Sequence, residues 1–262
     1  MFAGISHILS DYQSVTLQEM QQVRLMNRID TKYVVSVEQA YAFFRLARAT
    51  YRVQEIRGRC MPRYHTLYWD TENKAMFHAH QLGRRVREKI RMRTYVDTGN
   101  SFLEVKNKNN KGRTDKKRMS VRRDMGLSEE GVPDFLTQYA WYRQEELTPH
   151  LENAFRRVTL VNHQMTERLT IDLGIVFHNV LTGNQISLDD FAVIELKRDG
   201  LIPSPVREIL RTLRVRPMGF SKYCVGSVLT DPFLRHNRMK IRLRQLKRVG
   251  GAGAGAIRVS SY

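Results

Sequence analysis

With 262 residues the chain can bury a large hydrophobic core, as one domain or as two small ones. Its 44 Lys and Arg against 26 Asp and Glu give a formal charge of +18, which favours acidic partners such as nucleic acid, anionic lipid headgroups or polyphosphate without choosing among them. Cys60 and Cys224 stand alone, with no CxxC or His spacing, so a reducing cytoplasm fits and a cysteine zinc site does not. No run reaches the roughly 20 apolar residues of a membrane helix, and the opening MFAGISHILSDYQ is expected to hold no signal peptide.

Thr16 with Glu19 reads as a capping box that opens a helix to about Met26. Ser36 with Gln39 opens a second helix over VEQAYAFFRLARA, after a short strand at TKYVVSV. RYHTLYWDT alternates as a strand and ENKAMFHAHQ follows as a short helix. In RRVREKIRMRTY, Arg85, Arg87, Lys89, Arg91 and Arg93 recur at period two, so a strand puts all five on one face. Five adjacent like charges repel unless water or an anion covers them. A nucleic acid or a chain of phosphates is thus the first ligand to weigh, against a plain solvated face.

Strands follow at SFLEVKNK and KKRMSVR, joined by a turn at Asn110 to Arg113. A mainly helical section is expected over Ser128 to Glu152. Strands resume at AFRRVTLVNH, ERLTIDLGIVF and FAVIELKR. Ser204-Pro205 starts a helix, with Pro at its first position, and a last element begins near Ser221. From Arg235 the chain reads as a basic tail, RHNRMKIRLRQLKR, followed by the flexible composition GAGAGA. Its charge suits anionic lipid or polyphosphate. The expected division is therefore a domain over 1–234 and a basic, Gly/Ala-containing tail over 235–262.

The charged faces repeat from strand to strand. Glu104, Lys106 and Lys108 oppose Leu103 and Val105; Arg168, Thr170 and Asp172 oppose Leu169, Ile171 and Leu173; Glu195 and Lys197 oppose Ile194 and Leu196. Lys116 and Arg118 share a face, and Lys32 opposes Tyr33 and Val35. An ordinary half-buried sheet would alternate too, with mixed signs outside. Here the charged face is rich in Lys and Arg, while the inserted helices need the apolar side. The pattern predicts an α+β fold, an antiparallel β-barrel tunnel with a charged lumen and helices packed outside. Like charges in a lumen are tolerable only around a polyanion and a cation. Neither GxGxxG after a strand nor GxxxxGK[ST] occurs, so the dinucleotide and P-loop routes to phosphate are unsupported.

In this order RIDTKY (28–33), REKIRMRTY (87–95), FLEVKNK (102–108), the KKR run at 116–118, FRRVTL (155–160), ERLTIDL (167–173), VIELK (193–197) and GFSKY (219–223) resemble the VTC domain. This is the polyphosphate polymerase domain of the vacuolar transporter chaperone complex, here like a bacterial stand-alone version. It is one of the triphosphate tunnel metalloenzymes, relatives of the CYTH phosphatases. The resemblance implies Lys32, Arg91, Arg93, Lys106, Arg157 and Lys222 as catalytic phosphate-binding cations. It implies Lys89, Glu104, Lys116, Arg118, Arg168 and Lys197 as further substrate-binding residues, and Glu195 as the ligand of Mn²⁺ or Mg²⁺. Two departures stand out. The phosphatases' ExExK motif is replaced by Arg28, Asp30 and Lys32, which weakens a two-metal hydrolase. Phe155 stands where polymerising members often carry Tyr.

Phosphoryl transfer needs positioning and charge neutralisation more than covalent chemistry, and Arg forks and Lys point charges suit phosphate oxygens. The resemblance implies a polymerase that moves the γ-phosphate of ATP onto inorganic polyphosphate. A triphosphate or polyphosphate hydrolase in the same tunnel and a non-catalytic polyphosphate-binding module stay open. RNA would call for exposed aromatics among the cations, and the cationic strand has only Tyr95, so nucleic acid ranks last. The expected location is the cytoplasm, at most peripheral at the inner face of the membrane, with a membrane-protein partner or an anionic membrane surface as a further candidate partner.

Overall fold

The computed structural model describes residues 1–23, 28–200 and 203–250. Period-two alternation produces the strands β1 (Ser14–Val15), β2 (Arg28–Ser36), β3 (Tyr51–Gln54), β4 (Arg63–Asp70), β5 (Arg87–Tyr95), β6 (Asn100–Lys108), β7 (Thr114–Val121), β8 (Thr148–Asn162), β9 (Glu167–Asn179) and β10 (Gln185–Asp199). The helices are α1 (Phe2–Leu9), α2 (Leu17–Met20), α3 (Val37–Ala47), α4 (Ala75–Gln81), α5 (Val132–Tyr139), α6 (Pro205–Thr212), α7 (Lys222–Thr230) and α8 (Lys240–Gly250). Reciprocal capping boxes start two of them, Thr16 with Glu19 at α2 and Ser36 with Gln39 at α3.

The strands form one sheet in the order β2-β10-β9-β8-β4-β5-β6-β7, antiparallel throughout. β3 pairs with the second half of β8, and β1 lies parallel on β3. β2 and β5 are five strand steps apart, which would separate them by about 24 Å in a flat sheet. Yet Lys32 Nζ on β2 donates to the Phe220 carbonyl at 3.0 Å, and Lys89 Nζ on β5 donates to Ser221 Oγ at 3.2 Å. Two consecutive residues thus bridge the walls, and the sheet curls into a tunnel that hydrogen bonding leaves open between β2 and β7.

On the convex face, α1, α3 and α6 cover β2, β8, β9 and β10 through a core that includes Phe43, Phe44, Leu160, Ile171 and Ile194. α5 covers β5 to β7 over Ile90, Leu103, Val105 and Leu136. These helices pack outside, as the alternation predicts. α7 and α8 add a second layer on the concave side, where Tyr223, Val225, Leu243 and Leu246 meet Val34, Tyr68, Leu151, Phe177 and Val193. Gly226 lets α7 lie against the sheet: a Cβ there would stand 2.5 Å from the Phe177 ring and 2.6 Å from Leu151. Buried Asp70 ties this layer to β4, accepting the Met76 and Phe77 N–H groups of α4 and the Tyr223 hydroxyl.

Three expectations change. β8 already begins at Thr148, inside the section read as helical to Glu152; Pro149, which cannot donate, is accommodated at a register shift opposite Tyr68 and Trp69. Within the described residues α2 ends at Met20, and the rest of its expected span to Met26 lies partly outside them. The tail expected from residue 235 is instead a packed helix over Lys240–Gly250, because Leu243 and Leu246, with Met239 just before the helix, form an apolar stripe on its inner side. The GAGAGA run lies outside the described residues. α1, β1 and β3 had no counterpart in the sequence reading.

A chain ending at Leu234 would lose those three buried side chains, at about 1.5–3 kcal/mol each, and would uncover Val34 and Phe220. Thermal unfolding of this truncation is expected to show a melting temperature lower by ten degrees or more, or an insoluble protein. A melting temperature equal to that of the full chain would show α8 to be dispensable. Among the described residues, no helix is long and apolar enough to cross a membrane.

Candidate active site

Three carboxylates on the concave face are each shared between cations from different elements. Glu104 on β6 is almost fully buried; it accepts from Arg91 at 2.8 Å and from Lys116 at 3.0 Å. Asp172 on β9, equally buried, takes both prongs of the Arg157 guanidinium at 2.6 and 2.8 Å, and Lys222 from α7 closes on its other side. Glu195 on β10 pairs with Lys197 two residues along the same face and with Lys32 across the ladder at 3.8 Å. Cross-strand register sets these groupings: Arg91 faces Glu104, Arg157 faces Asp172, and Lys32 faces Glu195.

Between the clusters lies an aromatic floor. Tyr64 and Phe155 are register partners with rings stacked at 5.3 Å and 8°. Lys222 Nζ sits 4.4 Å over the Phe155 ring, and the Arg157 and Arg93 guanidinium groups stand 5.2 and 5.9 Å from it. Phe155 therefore presents its ring as a surface for cations. Arg93 is 8 % exposed; among the described residues it has no carboxylate within ion-pair distance, and it donates to Thr66 Oγ1 at 3.4 Å. Lys106 also lacks an ion-pair partner among the described residues, facing Lys89 and Lys116 across the ladders.

The electrostatics follow from this crowding. Burial alone would raise the carboxyl pKa values, but Arg91 and its neighbours hold Glu104, Arg157 and Lys222 hold Asp172, and Lys32 and Lys197 hold Glu195 well below the usual range. The crowded cations are lowered as well, which for them favours the neutral form. Arg91 and then burial lower Lys106 to about 5; burial with Lys32 and Arg91 lowers Lys89 to about 7; burial with Arg91 and Arg157 lowers Arg93 to about 10. Lys222 falls to about 8 through burial and Arg157, against the pull of Asp172.

A polyanion at pH 8 should therefore recharge Lys106 and Lys89 as it binds. Titration calorimetry with tripolyphosphate in two buffers of different ionisation enthalpy is expected to show net proton uptake at pH 8, with affinity falling as pH rises. Binding without proton exchange at pH 8 would show that the ligand does not reach these lysines.

The structure brings Lys32, Lys89, Arg91, Arg93, Glu104, Lys106, Arg157, Arg168, Glu195, Lys197 and Lys222 onto one concave face. Arg168 faces Lys197 across the ladder, and its buried Nε has no hydrogen-bond partner among the described residues. Lys116 and Arg118 lie on the edge strand β7 and are exposed; Arg118 stacks on Phe102 at 4.9 Å. Arg87 lies at the outer end of β5, turned to the Arg84 carbonyl, and Arg85 precedes the strand. Asp30, the one acid left of the ExExK pattern, is bound to Arg28 at 2.8 Å. Sequence reasoning placed Asp172 on the charged face without giving it a role, and passed over Tyr64 and Ser221. The alternation of RLTIDL was the signal for Asp172; a bridge by residues 220–221 had none.

Among the described residues, no three His, Cys, Asp or Glu side chains stand close enough to hold a metal ion. Glu104, Asp172 and Glu195 each meet two cations, but Glu195 is the most open of the three, with 21 % of its side chain exposed. This donor set fits a hard divalent cation that brings phosphate oxygens as its other ligands, and does not fit one bound by protein alone.

An antiparallel sheet curled around an excess of Lys and Arg, with three inner carboxylates each shared by two cations, defines an anion-binding tunnel protein. The chain belongs to the VTC domain family, whose profile matches residues 27–230. Family and interior together associate it with triphosphate and polyphosphate chemistry. No curated protein sequence matches the chain. Among solved structures it is similar to a Bacillus halodurans protein provisionally named as an adenylate cyclase (17% identity, TM-score 0.47, covering 75% of this chain and 96% of that one). It is also similar to HpAC1 from Hippeastrum, described as having a dominant triphosphatase activity (13% identity, TM-score 0.46, covering 76% and 94%). A third likeness is to the PH1819 protein of Pyrococcus horikoshii OT3 (13% identity, TM-score 0.44, covering 77% and 98%).

Proposed function

We propose that the chain is a phosphotransferase that extends inorganic polyphosphate with the γ-phosphate of ATP. The observation that carries this reading is buried Arg93 with half-buried Lys106, neither of which has a carboxylate within ion-pair distance among the described residues, beside cations that already share Glu104, Asp172 and Glu195. Such an excess is stable only around a bound polyanion. A terminal phosphate oxygen of the chain attacks the γ-phosphorus, the β–γ bridging P–O bond breaks, and ADP leaves with the bridging oxygen. The nucleophile comes from the substrate, so no Ser, Cys or His is needed. Arg91, Arg93 and Lys106 would hold phosphoryl oxygens on one wall; Arg157, Lys32 and Lys222 would hold them on the other. Mn²⁺ or Mg²⁺, held by Glu195 and phosphate oxygens, would neutralise charge between neighbouring phosphates.

One observation favours hydrolysis instead. α7 and α8 occupy the concave face over Val34, Leu151, Phe177 and Val193, which shortens the path open to a long chain. Incubation of the purified protein with ATP and Mn²⁺ separates the readings. ADP together with acid-stable polyphosphate is expected; ADP with orthophosphate alone indicates the hydrolase. No turnover with any nucleotide or metal indicates a binding module.

A further inference from the structure

A cavity of about 800 Å³ opens on the opposite side of β2 from the active-site face, between α6 and residues 214–217. Its floor includes Tyr33, a convex-face residue 4 % exposed. Arg207 and Arg211 of α6 line it together with Arg214 and Arg216, against one acid, Glu208. Among the described residues none of these four guanidinium groups has an ion-pair partner. Four scattered surface arginines would simply be solvated. Here they converge on one concavity of the size that takes small ligands.

The backbone adds a second observation. α6 ends with the Val215 N–H on the Leu210 carbonyl at 2.8 Å and the Arg214 N–H on the Arg211 carbonyl at 2.9 Å, the hydrogen-bond pair of a glycine-terminated helix. The left-handed residue of this motif is Arg214, at φ 55°, where glycine would be unstrained. A conformation unfavourable for a side chain is thus combined with the side chain that the cavity uses. A smaller cavity of about 240 Å³ shares Arg214 and Arg216 and extends past them to Arg248 on α8, so the cationic track continues around the edge of β2.

We propose that this outer cavity is a second binding site for an oligophosphate anion, either inorganic polyphosphate or the phosphate chain of a nucleotide. Planar Arg forks converging from a helix and a loop suit phosphate oxygens bidentately, and the acid-poor lining excludes a cationic ligand. The proposal rests on the proposed function only for its choice of probe. The outer arginines are separate from every residue assigned to the interior, so either reading can fail alone.

The test is titration calorimetry of the full chain with inorganic tripolyphosphate and, separately, with ATP, both without metal. Two sites are expected for at least one probe, and which probe fills the second names the source. R207E/R211E should abolish the second site and leave the first within about twofold. R214G should weaken the outer site at least fivefold while raising the melting temperature, because glycine relieves the left-handed strain; this variant keeps the test valid if charge reversal disturbs folding. One site for both probes that R207E/R211E leaves intact, or two sites retained in R207E/R211E and R214G, overturns the proposal. If R91A/R93A leaves both affinities unchanged while R207E/R211E removes one site, the outer site stands and the interior reading falls.

Discussion

Glutamine in place of Glu104 is expected to cost the ligand-free protein about 3–5 kcal/mol, the range for breaking a buried ion pair from one side. The substitution keeps the volume and removes the only carboxylate that Arg91 and Lys116 share. Arg93 and Lys106 also lose their nearest compensating charge. Tripolyphosphate should return most of the loss by binding the folded state alone, at about 2.7 kcal/mol for a concentration one hundred times Kd. The pH dependence has a definite sign. The Glu104 pKa is depressed in the folded protein, so its contribution is present above the unfolded value of about 4.3 and disappears as pH falls through the folded value. Wild type and variant should therefore differ most near neutrality and converge in acid. Urea unfolding at pH 7 and in acid, with and without tripolyphosphate, measures this; a loss under 1 kcal/mol at pH 7, or one that phosphate leaves unchanged, would show that the cations find other partners.

The legible part of this fold is the part written at period two. REKIRMRTY and SFLEVKNK announce their faces because charges recur at every second position, and β5 and β6 occupy those residues with Arg91 opposite Glu104. The grouping of cations around acids was not legible, because it depends on the curl. Lys222 reaches Asp172 across fifty positions, from a helix whose place on the concave side follows from Gly226 as much as from any charge. α8 misled for a different reason. Its dense Arg and Lys read as a solvated tail, although Met239, Leu243 and Leu246 already marked one helical side. Thr148-Pro149 gave a similar error, since a proline argues against a strand interior unless a register shift receives it.

Glu195→Gln is expected to separate turnover from binding. The carboxylate is held by Lys32 and Lys197 and is the most open of the three inner acids. If it positions a divalent cation against phosphate oxygens, its loss should lower kcat by about 100-fold or more, the scale for removing one preorganised charge-stabilising group. The effect on binding runs the other way. Lys32 and Lys197 lose their counter-charge, so metal-free tripolyphosphate should bind as tightly as to the wild type or more tightly. Folding should be less disturbed than in Glu104→Gln, because 37 % of the Lys32 side chain is exposed and water can compensate it. Three measurements on one variant check this: the melting temperature, the metal-free affinity for tripolyphosphate, and the rate of ADP formation at saturating Mn²⁺. A near wild-type rate at saturating metal would remove Glu195 from the metal's coordination. Weakened metal-free binding would mean instead that the glutamate orients Lys32 and Lys197 toward the substrate, and its role would be that of a positioning residue.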